Sequence, residues 1–196
     1  MCPIRIYNAE LPTNDDIAGR TAHRNGVPWI VPEAFAYLEG LVKPAWRVFE
    51  WGAGGSTIWF AHNCTVVVTV ENSERWYQWA GARLEQEGHR EKADLLFVEA
   101  GKANFDAYVD VASSYPDASF DCVSVDGIYG ARSGGIAHAV RMLKPGGVLL
   151  LDNTNHYKVP EIVADWSGCE WITPQFQWLG KTEQWATRIL FKPEGT

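Results

Sequence analysis

The chain has 196 residues, 46% hydrophobic and 21% charged, with a formal net charge of −7 at pH 7. That length predicts a single domain over residues 1–196, large enough to bury a core, with residues 1–44 as an N-terminal arm and lead-in helix. An acidic chain without a basic cluster argues against a nucleic-acid partner, and no apolar run approaches the length needed to span a membrane.

Cys2, Cys64, Cys122 and Cys169 are scattered without a CxxC pair, which suggests neither a structural zinc site nor a disulfide framework. The N-terminus lacks the apolar stretch of a secretory signal, so a reducing cytoplasm is the expected location.

Residues 1–26 are polar and read as an irregular arm. Residues 29–43 place Ile30, Ala34, Leu38 and Leu41 or Val42 at helical spacing, giving a lead-in helix closed by Pro44. The segment Arg47–Glu50 reads as a first strand, and a helix is expected over Thr57–His62. The β-branched run Thr65–Val70 has the pattern of a strand buried on both faces. Ser73 is placed to cap a helix carrying Trp76, Ala80 and Leu84, ended by Gly88.

A third strand is expected over Asp94–Val98, then a short helix over 103–113 and a turn at Tyr115-Pro116-Asp117. Phe120–Val125 reads as a fourth strand, Ser133–Leu143 as a helix, Gly147–Leu151 as a fifth strand and Tyr157–Trp166 as a further helix. The ending differs: Glu170–Thr173 and Trp185–Lys192 read as two strands with no long helix between them, an antiparallel pair at one sheet edge. Alternating β and α predicts a three-layer α/β architecture with right-handed crossovers. Ligands in such sheets bind outside the carboxyl ends of the strands. Here each of the first five strands ends in an acid: Glu50, Glu71, Glu99, Asp126 and Asp152.

Between the first strand and its helix the chain reads VFEWGAGGSTIWFA over residues 48–61. Gly52, Gly54 and Gly55 let backbone N–H groups approach a ligand, and the loop feeds a helix N-terminus. The dinucleotide fingerprint GxGxxG fails, because Thr57 stands at its third glycine. What fits is an acid followed by two spaced glycines and a small residue: Glu50, Gly52, Gly54, Ser56.

With FDCVSVDG at 120–127 and LKPGGVLLLDN at 143–153, this pattern resembles the class I S-adenosylmethionine-dependent methyltransferases over about residues 29–155. The resemblance implies a Rossmann-like, three-layer fold with a seven-stranded, mostly parallel sheet and an antiparallel C-terminal edge pair. It implies S-adenosyl-L-methionine held by Glu50, Gly52, Ala53, Gly54 and Ser56, with Glu71 on the ribose hydroxyls, Glu99 at the adenine edge, and Asp126. The cofactor carries a positive sulfonium, so an acid before the glycines is electrostatically sensible.

Within that superfamily, Asp126 with Asp152 and Asn153 resembles the metal site of catechol-type O-methyltransferases, which hold Mg²⁺. Those enzymes carry a lysine base where this chain has Tyr129. The other reading is that Asp126 and Asn153 only position the cofactor and the next loop. His156 is then the candidate general base, with Tyr129 and Arg132 orienting a small-molecule acceptor. Trp171, Phe176, Trp178 and Trp185 are candidate walls of an apolar acceptor pocket; for Trp171 and Trp185 the competing role is edge-strand core, while Phe176 and Trp178 read as loop residues. Three rivals stand beside methyl transfer: a non-catalytic S-adenosylmethionine-binding module, an aminopropyl transferase on the same fold, and, weakest, an NAD-dependent oxidoreductase.

Overall fold

The computed structural model describes residues 4–6, 26–100, 105–178 and 181–195. Among these residues eight strands form one sheet: β1 (Ile4–Ile6), β2 (Arg47–Trp51), β3 (Val66–Glu71), β4 (Ala93–Phe97), β5 (Phe120–Val125), β6 (Leu143–Asp152), β7 (Ser167–Trp178) and β8 (Lys181–Phe191). Their order across the sheet is β1-β7-β8-β6-β5-β2-β3-β4. The strands from β6 through β5, β2 and β3 to β4 pair in parallel, whereas β8 runs antiparallel to both β6 and β7.

Among the described residues five α-helices flank the sheet: α1 (Pro32–Leu41), α2 (Gly55–Asn63), α3 (Glu74–Gln86), α4 (Asp106–Asp110) and α5 (Arg132–Met142). Buried residues of α1, α2 and α3 pack on one face with Val48, Val67, Cys122 and Ile189. Those of α4 and α5 pack on the other with Phe49, Val68, Val123 and Leu149. The period-2 alternation of each strand makes this division, sending successive side chains to opposite layers. None of these helices is long and apolar enough to cross a membrane.

Strands β2 to β8 are the expected seven-stranded sheet, and three segments differ from expectation. Ile4–Ile6, read as irregular arm, forms a short parallel strand on β7, so β1 and not the hairpin is the edge; residues 7–25 of the arm lie outside the described residues. The expected helix over 157–166 is reduced to a 3-10 turn at Glu161–Val163, because Pro160 cannot continue a helix that begins before it. The hairpin strands are longer than expected, so Phe176 and Trp178 lie on β7, paired with Glu183 and Lys181, and not in a loop. Their side chains lie outside the described residues.

Candidate active site

Glu50 lies on the α1–α3 side of the sheet, the same side as Val48, and is fully buried. Its carboxylate accepts hydrogen bonds from Ser56 Oγ at 2.8 Å, Thr69 Oγ1 at 2.7 Å and Thr57 Oγ1. The Gly54 N–H in turn donates to Thr57 Oγ1 at 3.1 Å. Burial pushes the Glu50 carboxyl up to about 7, while the three hydroxyls hold it down. The acid before the glycines therefore braces the loop from behind and is absent from the cavity wall.

In front, Gly52 takes φ +100°, and a Cβ there would lie 3.1 Å from the backbone of Asp126 and Gly127. The N–H of Asp126 donates to Trp51 O at 3.1 Å, so the loops after β2 and β5 are stitched together. Glu71 ends β3 and is buried. It accepts the N–H groups of Ala53 at 2.6 Å, Asn72 at 2.8 Å and Ser73 at 2.6 Å. Burial raises its carboxyl above the ordinary range and these amides oppose that. Ser73 stands at the N-cap of α3, but it meets Glu71 through its backbone and makes no side-chain cap.

Arg132 opens α5 and is 3% exposed. Its Nε donates to Gly127 O at 3.1 Å, one terminal nitrogen to Asp152 O, and the other to Asp126 O and Asp126 Oδ1, each at 3.1 Å. The guanidinium lies 4.4 Å from the centre of the Tyr129 ring and 5.4 Å from that of Tyr157. The Asp126 side chain is 37% exposed. Burial raises its carboxyl, Arg132 counters, and its exposure to solvent moderates both.

Asp152 ends β6 on the α1–α3 side and is buried. Trp185 Nε1 donates to both of its oxygens, and Thr187 Oγ1 donates to Oδ1 while accepting the Val31 N–H at 3.0 Å. Burial, then the charge of Asp126, pushes the Asp152 carboxyl up to about 8. Trp29 packs edge-on against Trp185, with ring centres 6.2 Å apart.

These pieces enclose a cavity of about 880 Å³ along the ends of β2, β3, β5, β6 and β8. Its size is near the upper end of the roughly 300–1,000 Å³ typical of small-molecule sites. One end is lined by Gly52, Ala53, Gly54, Ser56 and Glu71, the middle by Asp126, Tyr129 and Arg132, and the other end by Asp152, Asn153, His156 and Trp185. Of the predicted site residues, Glu50 and Glu99 do not line it; Glu99 is exposed beyond β4. Trp171 is buried core against α1, so only its core role is realised. Trp185 is both core and wall. Trp29, Trp76, Ile128 and Gln184 also line the cavity and were missed. The position of Trp76 in the first turn of α3, directly after the acid ending β3, was a usable signal; for Trp29 and Gln184 there was none.

No family model matches the chain, and no curated protein matches it in sequence. Among solved structures it is similar to the O-methyltransferase TomG from Streptomyces achromogenes, in complex with S-adenosylmethionine. The identity is 19%, the alignment covers 92% of each chain, and the TM-score is 0.58. An O-methyltransferase from Bacillus cereus, in complex with S-adenosylhomocysteine, is similar at 18% identity, 92% of each chain and a TM-score of 0.58. The precorrin 8w decarboxylase of Methanobacterium thermoautotrophicum is similar at 16% identity, 82% of this chain, 90% of that chain and a TM-score of 0.60. The fold is that of the class I methyltransferases. In that fold β2 to β8 are its seven strands, and β1 is an addition.

The residues at the β2 and β3 ends suit S-adenosylmethionine. The glycine loop leaves a cradle that side chains would fill, Glu71 offers carboxylate oxygens beside it, and the cavity continues past the cradle. The residues expected for Mg²⁺ do not suit a metal. Asp152 is committed to Trp185 and Thr187, and Asp126 faces a guanidinium. A lysine at position 129 would also meet like charge, since the Tyr129 ring lies against Arg132.

Proposed function

We propose that the chain transfers a methyl group from S-adenosyl-L-methionine to an oxygen or nitrogen of a small-molecule acceptor. One observation carries this reading: the glycine cradle and Glu71 share a single cavity with an aromatic, His-bearing end at β6 and β8. The Gly52–Gly54 loop and Glu71 hold the cofactor. When bound, S-adenosylmethionine supplies an electrophilic methyl; the acceptor lone pair takes the carbon and the carbon–sulfur electron pair stays on sulfur.

The chain's own work is alignment and proton removal. Trp29, Trp185 and Tyr129 form flat apolar walls against which a planar acceptor packs. His156 stands at the cavity mouth with its ring 5.8 Å from that of Tyr129. Its imidazole takes the acceptor proton and passes it to solvent.

Calorimetry with S-adenosylhomocysteine and NAD tests the cofactor, and release of S-adenosylhomocysteine with a panel of phenols and aromatic amines tests the chemistry. Binding of NAD and not of S-adenosylhomocysteine would overturn the reading. Cofactor binding without turnover on any acceptor would mark a binding module in place of an enzyme.

A further inference from the structure

We infer that Arg132 is a chain-borne cation standing where a divalent ion would otherwise sit, and that it makes the acceptor site independent of metal. The word acceptor rests on the methyl-transfer reading; the cation cage does not. Four oxygens from the ends of β5 and β6 converge on the guanidinium: Gly127 O, Asp126 O, Asp126 Oδ1 and Asp152 O. Backbone carbonyls and a carboxylate are the donors a hard divalent cation takes. A guanidinium takes them equally well through its fork of N–H groups, and it keeps its charge at any working pH.

The surroundings fit a resident organic cation. Arg132 is buried, its faces lie near the rings of Tyr129 and Tyr157, and its charge is balanced by Asp126. A free divalent ion entering the same cage would face a fixed positive charge at contact distance. Asp152, the other acid an ion would need, points its carboxylate into Trp185 and Thr187. Arg132 is thus a positioning residue: it ties the Asp126–Tyr129 loop to the end of β6 and keeps Asp126 paired.

The test is a Mn²⁺ titration followed by electron paramagnetic resonance, with thermal melts alongside. The wild-type protein is expected to leave the free-ion signal unchanged, and its melting temperature and turnover are expected to be the same with chelator and with Mg²⁺. Arg132→Met removes the charge and leaves the oxygens. It should gain Mn²⁺ affinity by on the order of tenfold or more, the scale on which a change in a site's immediate surroundings alters metal affinity. Adding Asp126→Asn should cancel that gain, and Arg132→Lys, which keeps the charge, should show none.

Wild-type binding of Mn²⁺ that Asp126→Asn abolishes would overturn the inference. So would a folded Arg132→Met protein with no gain. Should that variant fail to fold, the wild-type and Arg132→Lys titrations decide. Failure of the chain to bind S-adenosylhomocysteine would sink the methyl-transfer reading while leaving the Mn²⁺ result intact.

Discussion

The Asp152 carboxylate receives the indole N–H of Trp185 on both oxygens, each 3.1 Å from Nε1. A buried acid at the end of β6 thereby fixes an aromatic wall contributed by β8. Its place in a low-dielectric layer also makes its ionisation matter for stability.

Asp152 has its carboxyl raised from 3.8 to about 8, so the folded state holds this proton where the unfolded state has lost it. The stability that protonation confers is present below about 4 and is lost as pH rises toward about 8. Glu50, raised to about 7, acts in the same direction. Asp152→Asn should flatten the fall in melting temperature across that window without abolishing it. Parallel curves for the two proteins would show that Asp152 ionises normally.

Glu71→Ala should weaken S-adenosylhomocysteine binding by about 1.5–3 kcal/mol for each ribose hydrogen bond lost, read by calorimetry. It also leaves the N–H groups of Ala53, Asn72 and Ser73 without their acceptor, so the melting temperature should fall as well. A lower melting temperature with unchanged affinity would confine Glu71 to bracing the loop.

His156→Ala should lower turnover by roughly 10²–10⁴-fold, the usual range for loss of a general base, with cofactor affinity unchanged. The side chain is exposed at the end of the cavity away from Glu71, so stability should hardly change. Turnover close to wild type would assign proton removal elsewhere.

Gly127→Ala should cost about 1–3 kcal/mol of stability in a urea melt, the usual penalty for overpacking. The new Cβ would sit 2.2 Å from the Tyr108 hydroxyl, itself buried and bonded to Val70 O at 3.2 Å. Tyr108→Phe opens that space, so the double variant should lose less than the sum of the single ones. Strict additivity would locate the clash in the backbone.

The sheet was legible because its strands are short apolar runs ending in acids, and the glycine loop was legible because its backbone needs are local. The sidedness of those acids was harder. Val48 and Glu50 share a parity, as do Leu150 and Asp152, so both acids turn into the α1–α3 layer. Strand periodicity contained that fact, yet the acids were read as cofactor and metal contacts. The partners of the Asp152 carboxylate, Trp185 and Thr187, lie near the end of the chain, and Thr187 in turn accepts the N–H of Val31 near its start; no local pattern reveals such pairing. Arg132 was read as an orienting residue, since nothing in its neighbours announces four converging oxygens.

The wall formed by Trp29 and Trp185 has a consequence for synthesis. Chains emerge N-terminus first, and the glycine loop, Glu71 and the β5 end are all made before β8. A nascent chain reaching only β6 already carries the residues of the cradle, but Asp152 then has neither Trp185 nor Thr187 to receive. The acceptor end closes only when the last strand threads between β6 and β7 and Val31 meets Thr187. On the methyl-transfer reading, an unfinished chain would carry the residues of the cofactor cradle without those that wall the acceptor.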